Sequence, residues 1–330
     1  MTRRVLVTGG SGFIGTNLVE HLLGLDDTEV VSIDRDPPRN PAHTPNWRGV
    51  DLLDRRALHR AVAEAEPEVI VHLAARTDLD GNQVQDYAVN VAGVDHVIDA
   101  AADARVDRVL FGSSQLVCTP GHRPVDEFDY SPPNAYGRSK VSGEELVRER
   151  AGDRFTWALL RSTSIWGPWW GRLYSTFFRT VAAGRYLHPR GLDVHKSFGY
   201  VGNAVHRIEL LTRVPADQLH SRMLYLSDDE PYRILDWADE IAVAWGRGPV
   251  RQVPMWVLRT LAAGGDVASA LGWAAPPITR YRLRNICTDT RFDLAPLIEL
   301  CGPAPISRRD GVESTVAWMR THPDVLAERN

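Results

Sequence analysis

Val5-Leu6-Val7-Thr8-Gly9-Gly10-Ser11-Gly12-Phe13-Ile14-Gly15 is the stretch that decides the fold. Its apolar start has strand character. It then breaks into glycines and resumes as a helical pattern from Phe13 to Leu23. Glycines at 9, 12 and 15 suit a turn too tight for side chains, a close backbone approach to phosphate, and a helix packed hard on a strand. The helix N-terminus supplies N–H groups and the positive end of a dipole to a pyrophosphate. Gly9, Gly12, Phe13, Ile14 and Gly15 are therefore expected to hold a dinucleotide. A second strand, Glu29 to Ile33, ends in Asp34. A carboxylate at that position accepts both hydroxyls of an adenosine ribose and repels a 2′-phosphate, which selects NAD over NADP. Arg35 beside it pulls the other way.

At 330 residues the chain is long enough for one large α/β domain or a domain with an added lobe. Its formal net charge of −4 leaves no basic surface to argue for nucleic acid or an anionic membrane, so neither is expected as a partner. Cys118, Cys287 and Cys301 show no metal-ligand spacing, so no metal is expected and reduced, cytoplasmic thiols are the default. Met1-Thr2-Arg3-Arg4 leads directly into the first strand, leaving no signal peptide to expect. No apolar run reaches the length of a membrane span.

Going outward from the glycine loop, Asp51 follows a short strand and is placed to touch an adenine edge. Asp54 reads as the N-cap of a helix through Ala65. Glu68 to Leu73 is a buried strand ending in Ala74-Ala75, whose small side chains let a cofactor lie close. His72 there reads as a packed, hydrogen-bonded residue rather than a catalyst. A helix from Val84 to Ala104, a strand from Asp107 to Gly112 running into Ser113-Ser114, a helix over 135–150 and a strand from Thr156 to Arg161 follow. This alternation predicts an α/β fold: a Rossmann-type doubly wound parallel sheet with a smaller, mainly helical C-terminal substrate lobe. The expected division is 1–165 for the NAD-binding domain, with 197–228 returning to it through a strand at Met223 to Ser227. Residues 166–196 and 229–330, punctuated by Pro249–Pro254 and Pro276–Pro277, form the substrate lobe.

Tyr136-Gly137-Arg138-Ser139-Lys140 carries the chemistry. Four residues apart on a helix, Tyr136 and Lys140 share a face. A phenol is a poor base near neutral pH, and an adjacent ammonium favours the phenolate. The chain has only two lysines, Lys140 and Lys196, and nine tyrosines, so the spacing carries information. Ser114 ends a strand at the same sheet edge, where it either assists the reacting hydroxyl or caps the strand end.

Taken together, these pieces resemble an extended short-chain dehydrogenase/reductase of the NAD-dependent nucleotide-sugar epimerase/dehydratase family. The matching segments are Thr8 to Gly15, Asp34, Asp51-Leu52, His72-Leu73-Ala74-Ala75, Asn90-Val91-Ala92-Gly93, Ser113-Ser114, Pro133-Asn134-Ala135-Tyr136 with Lys140, and Leu160-Arg161 through Gly167-Pro168. The resemblance implies Tyr136 as acid/base, Lys140 as holder of the nicotinamide ribose, and Ser114 as helper in proton transfer. It also implies Leu52, Leu73, Ala74, Ala75 and Asn90 as cofactor contacts. Family 4,6-dehydratases carry an Asp-Glu pair after the catalytic Thr/Ser, whereas Gln115 and Leu116 stand here. That disfavours dehydration and leaves an NAD-dependent epimerase of a nucleotide-diphosphate sugar, most simply at C4, as the expected function. The alternatives are a ketoreductase or dehydrogenase, and a non-catalytic dinucleotide sensor. Cys118 reads as a packed thiol. Arg76, Ser164, Trp169, Trp170, Arg172 and Arg280 (or Arg222) are the candidate substrate contacts. By the same resemblance a homodimer forms through helices 84–104 and 135–150.

Overall fold

The computed structural model describes residues 2–170, 172–273 and 278–322, with the side chains of 172–174 outside that description. Arg172, named above for the substrate, thus has a described backbone only, and Pro276–Pro277 lies outside the described residues.

The chain forms two compact units. The first comprises Met1–Ile165, Gly199–Asp229 and Phe292–Pro305. Its strands are β1 (Arg3–Thr8), β2 (Thr28–Asp34), β3 (Trp47–Gly49), β4 (Val69–His72), β5 (Arg108–Ser114), β6 (Thr156–Ser162) and a seventh, Arg222–Leu226. They run in the order β3, β2, β1, β4, β5, β6, Arg222–Leu226, and every pairing is parallel. Each return between neighbours passes through a crossover, as parallel strands require. The helices are α1 (Phe13–Leu23), α2 (Arg55–Ala65), α3 (Ala88–Asp103), α4 (Ala135–Arg150), α6 (Val201–Leu211), the short α7 (Ala216–Leu219) and α11 (Ala295–Cys301).

The period of two along each strand sorts side chains between the faces. Leu6, Ile33, Ile70, Val109, Phe111 and Leu159 join Leu58, Val62, Val94, Val97, Ile98 and Val147 of α2, α3 and α4 in one core. Val5, Val7 and Val71 point the other way and are equally buried, as are Leu18, Val19 and Leu22 of α1 and Val205, Ile208 and Leu211 of α6. The sheet is thus buried on both faces, as all-parallel sheets are. Strand order reverses between β1 and β4, which makes the carboxyl ends of those strands the ligand crevice of a doubly wound sheet.

Phe292–Pro305 differs from the expectation that placed it in the lobe. The Phe292 ring stacks on Tyr225 at 4.2 Å and 15°, and the Ala304 N–H donates to Asp229 at 2.8 Å. These contacts join it to the first unit.

The second unit, Trp166–Phe198, Glu230–Arg291 and Ile306–Asn330, contains α5 (Arg172–Ala182), α8 (Ile234–Ala244), α9 (Met255–Ala270), α10 (Arg280–Ile286) and α12 (Arg308–Thr321). Two short strand pairs, His195–Lys196 with Tyr232–Arg233 and Leu187–Pro189 with Arg251–Val253, complete it. Its centre is aromatic: Trp237 lies 4.9 Å from Phe177, 5.1 Å from Phe198 and 5.4 Å from Trp166, ring centre to ring centre. Trp166 and Trp170 are buried. Their bulk explains the tryptophan cluster that the sequence displays there.

Candidate active site

The glycine loop behaves as its sequence demands. Gly9 adopts φ +75°, and a Cβ there would stand 2.5 Å from the Ala74 nitrogen and 2.8 Å from the Leu73 carbonyl carbon. The end of β1 therefore touches the end of β4 with no room for any side chain. Gly12 is the N-cap of α1 and offers no capping side chain, nor is there an acidic residue in the first turn. Among the described residues no N-cap side chain and no first-turn acid closes the opening turn of α1, which fits an anionic ligand such as a pyrophosphate.

Asp34 ends β2 beside this turn. Its Oδ2 accepts from the Ser11 N–H at 3.1 Å and its Oδ1 from the Asp36 N–H at 3.1 Å. Burial raises its pKa against the pull of those amides. Arg35 is exposed and pairs with Asp36 at 3.4 Å. Asp51 is exposed and uses its Oδ1 on the Leu53 N–H at 2.9 Å, while buried Leu52 gives its carbonyl to His96 at 2.7 Å. Leu73, Ala74, Ala75 and Arg76 continue from β4, partly buried.

Asn90 holds that continuation in place. Its Oδ1 accepts from the Arg76 N–H at 2.8 Å, and its Nδ2 donates to the Arg76 carbonyl at 3.0 Å and to Ser139 Oγ at 2.9 Å. Ser139 donates in turn to the Tyr136 carbonyl at 2.7 Å. One amide therefore ties the loop after β4 to the first turn of α4. The Arg76 guanidinium turns to its own loop, bonding Asp78 at 2.7 Å and the Asp86 carbonyl at 2.7 Å.

At α4 the Asn134 side chain caps the helix by accepting from the Gly137 N–H at 2.8 Å. A Cβ on Gly137 would stand 2.2 Å from the Leu116 carbonyl oxygen, so glycine allows this turn to press against the residues that follow β5. Leu116, two residues past Ser114, packs there against Tyr136. Tyr136 is buried, 5.9 Å ring to ring from Tyr87. One turn on, Lys140 is buried and its Nζ donates to the Gly112 carbonyl at 2.9 Å. Burial lowers its pKa to about 8, with Glu144 opposing. Ser114 Oγ accepts from the Leu116 N–H at 3.1 Å, so it caps the turn after the strand and keeps its proton to donate. Gln115 Nε2 donates to buried Ser164 Oγ at 2.9 Å. Neither Gln115 nor Leu116 can exchange a proton near neutral pH.

His72 is buried, with Nδ1 at 2.8 Å from Thr8 Oγ1, and burial followed by the charge of Lys140 lowers its pKa to about 3. It is a neutral structural partner of β1. Cys118 is a buried thiol whose pKa burial raises, with Sγ 3.4 Å from the Asp129 carbonyl. Arg222 begins its strand beside Ala158, at the opposite end of β6 from Ser162 and so of the sheet from Ser114.

A feature that the sequence reading missed lies one turn beyond Lys140. Glu144 is fully buried and accepts two bonds from equally buried Arg161, at 2.9 and 2.8 Å. Ser113 Oγ donates to it at 2.5 Å and the Tyr130 hydroxyl at 2.9 Å. The repeated four-residue step Tyr136, Lys140, Glu144 was the available signal.

In the second unit Trp169 adopts φ +64° and contacts Trp318 at 5.6 Å and His322 at 5.4 Å. Arg280, at the start of α10, is exposed and pairs with Asp266 at 3.4 Å. Among the described residues one cluster of potential metal ligands, His21, His206 and Glu209, lies at the end of α1 away from the glycine loop. Its Glu209 is already paired with Arg3 and Arg213.

The chain has known relatives. The 3-beta-hydroxysteroid dehydrogenase of Mycolicibacterium neoaurum is 31% identical over 74% of this chain and 70% of its own. The N-acetyl-alpha-D-glucosaminyl-diphospho-ditrans,octacis-undecaprenol 4-epimerase of Escherichia coli O157:H7 is 26% identical over 98% of this chain and 97% of its own. Among solved structures, UDP-glucuronic acid 4-epimerase from Bacillus cereus, in complex with NAD, shares the fold with a TM-score of 0.73 at 17% identity, covering 97% of this chain and 99% of that one. The model of the NAD dependent epimerase/dehydratase family matches residues 5–224. With its glycine loop, its Asp34 and its Tyr136–Lys140 helix on that sheet, the chain belongs to the NAD-dependent epimerase/dehydratase family.

Proposed function

We propose that the protein is an NAD-dependent epimerase acting on a nucleotide-diphosphate sugar and inverting C4 through a transient keto-sugar. The observation that carries this reading is Tyr136 on the face of α4 that also bears buried Lys140, pressed by Gly137 against the Ser114 turn. The neutral Gln115–Leu116 pair after Ser114 supports epimerisation over elimination. Similarity to a 4-epimerase along almost the whole chain supports it further.

Gly9, Gly12, Phe13, Ile14 and Gly15 would hold the cofactor pyrophosphate, Asp34 its adenosine ribose, Asp51 and Leu52 its adenine end, and Leu73 to Ala75 with Asn90 its nicotinamide half. Bound there, NAD supplies a reversible acceptor for the hydrogen on the sugar carbon. Tyr136 takes the hydroxyl proton as phenolate, and the ammonium of Lys140 favours that phenolate. Ser114 donates its hydroxyl hydrogen to the sugar oxygen as charge grows on it. After the keto-sugar turns over, Tyr136 returns the proton, so the sugar leaves with its other configuration and no net redox change. The first unit would carry cofactor and catalysis, and Ser164, Arg76, Trp169, Arg172 and Arg280 remain candidates for the sugar diphosphate. A homodimer through α3 and α4 belongs to the same reading.

The test is NMR of the purified protein with UDP-, dTDP- and GDP-sugars and a polyprenyl-diphosphate sugar, with and without added NAD. A new isomer without net NADH supports the reading. Tyr136→Phe should lower turnover by about 10²–10⁴-fold with bound NAD retained; unchanged turnover would sink the mechanism. The 31% identity to a hydroxysteroid dehydrogenase favours one second reading, oxidation of a sterol 3-hydroxyl. NADH accumulating with a hydroxysteroid, and no sugar isomer, would move the assignment there.

A further inference from the structure

The second unit exposes an apolar face where its charge is also unlike the rest of the chain. Of the large hydrophobic side chains exposed among the described residues, half fall within 256–281: Trp256, Leu261, Val267, Leu271, Trp273 and Tyr281. Trp256 is 69% exposed, Leu271 83% and Tyr281 68%. These are fractions that such side chains rarely hold as a group on a soluble surface. Helical geometry gathers three of them. At about 100° per residue, Trp256, Val267 and Leu271 fall within about 60° of one another around α9 and its C-cap. Buried Leu258 and Ala262, which pack against Leu283 of α10, occupy the opposite side. The inner face of α9 is thus committed to its own unit and the outer face to something else.

Charge says what. Residues 247–288 contain six arginines (247, 251, 259, 280, 282 and 284) against one acidic residue, Asp266, with no lysine or glutamate. The segment therefore carries +5 in a chain of net −4, so the remainder carries −9. Arg259 and Arg284 are exposed, and Asp266 is paired with Arg280. A second copy presenting the same face would bring two net-positive surfaces together, which opposes a self-complementary contact. Leu and Val side chains have no stacking use against nucleic-acid bases. Aromatic and aliphatic side chains on one face of a helix flanked by arginine are what an anionic bilayer surface receives. The rings settle at the headgroup level and the guanidinium groups at the phosphates.

We propose that the outer face of α9, with Trp273 and α10, docks the protein on an anionic lipid bilayer, along its surface and without crossing it. This does not rest on the proposed reaction. The test is co-sedimentation of the full chain with vesicles of phosphatidylcholine alone or with about one-third phosphatidylglycerol. Wild type should bind the anionic vesicles, bind the neutral ones far less, and release in high salt. Each arginine near such a surface is worth about fivefold in partitioning, so the Arg259→Glu/Arg284→Glu double variant should lose at least about 25-fold. Trp256→Ser/Leu271→Ser should weaken binding at constant charge. Both double variants are checked by circular dichroism, and the charge variant, altering exposed side chains only, decides if the apolar one fails to fold. Absence of binding to anionic vesicles overturns the proposal, as does binding indifferent to the charge variant. So does self-association in lipid-free solution that Trp256→Ser/Leu271→Ser abolishes, since a second copy would then be the occupant.

Discussion

Replacing Glu144 by glutamine removes one charge from a fully buried centre. Glu144 is 1% exposed and Arg161 0%, and a guanidinium does not deprotonate in a protein. The glutamine keeps one acceptor oxygen. In place of the other it puts an NH₂ group opposite a donor, the Arg161 guanidinium or the Tyr130 hydroxyl. A buried cation that loses its counter-charge costs about 3–5 kcal/mol, whereas replacing both members by apolar groups is often close to neutral. Urea unfolding of Glu144→Gln, Glu144→Leu, Arg161→Met and Glu144→Leu/Arg161→Met should therefore give three expensive single variants and a double variant cheaper than the sum of Glu144→Leu and Arg161→Met by at least about 2 kcal/mol. The Tyr130 pKa, raised to about 12 by burial and then by Glu144, should fall in Glu144→Gln, as read by ultraviolet titration. A single variant within about 1 kcal/mol of wild type, or strict additivity, would refute the idea that this pair holds α4 to β5 and β6.

Two further outcomes follow from the crevice. Gly9→Ala must displace the Leu73–Ala74 backbone from a Cβ at 2.5 Å and sustain φ +75°, costing about 1–3 kcal/mol of stability. It should also weaken NAD binding in a calorimetric titration, and unchanged affinity would show that the β1–β4 contact does not shape the cofactor site. His72 is held neutral, with a pKa of about 3 in the fold against about 6.5 in the unfolded chain. Below about pH 6.5 the unfolded chain therefore takes up a proton that the fold refuses. Stability should fall as pH drops from about 6.5 to about 3, by up to about 5 kcal/mol at the lower end. His72→Gln should flatten that slope in urea midpoints measured at about pH 7 and about pH 4; an unaltered slope would assign the acid sensitivity elsewhere.

Local devices were the legible part of this chain. The glycine loop, Asp34 at a strand end, the Asp54 cap of α2 and the Tyr136–Lys140 spacing are short-range patterns whose physics is complete within a few residues, and the structure places each on the expected element. What escaped depends on partners far apart in sequence. Glu144 finds Arg161 17 positions on, across a strand pairing that no local period announces. Phe292 reaches Tyr225 through a stacking contact between residues 67 positions apart. A buried carboxylate and a lone aromatic look ordinary until the fold supplies the other half. The basic apolar face of α9 was hidden differently: a chain-wide net charge of −4 averages a +5 segment out of sight.

The seven-stranded sheet also has a timetable. Its strands through β6 leave the ribosome in one continuous run, but the strand that covers the open edge of β6 begins at Arg222, 60 residues after β6 ends at Ser162. At about 5–20 residues per second the edge of Thr156–Ser162 waits about 3–12 s for its neighbour. That strand, Thr-Trp-Ala-Leu-Leu-Arg-Ser, has an unbroken apolar run of four at its centre, and it presents unpaired N–H and C=O groups throughout the wait. The nascent protein is therefore most in need of a chaperone between the synthesis of Ser162 and that of Leu226, and Arg161, the one charge in that strand, is its built-in brake on pairing with the wrong chain.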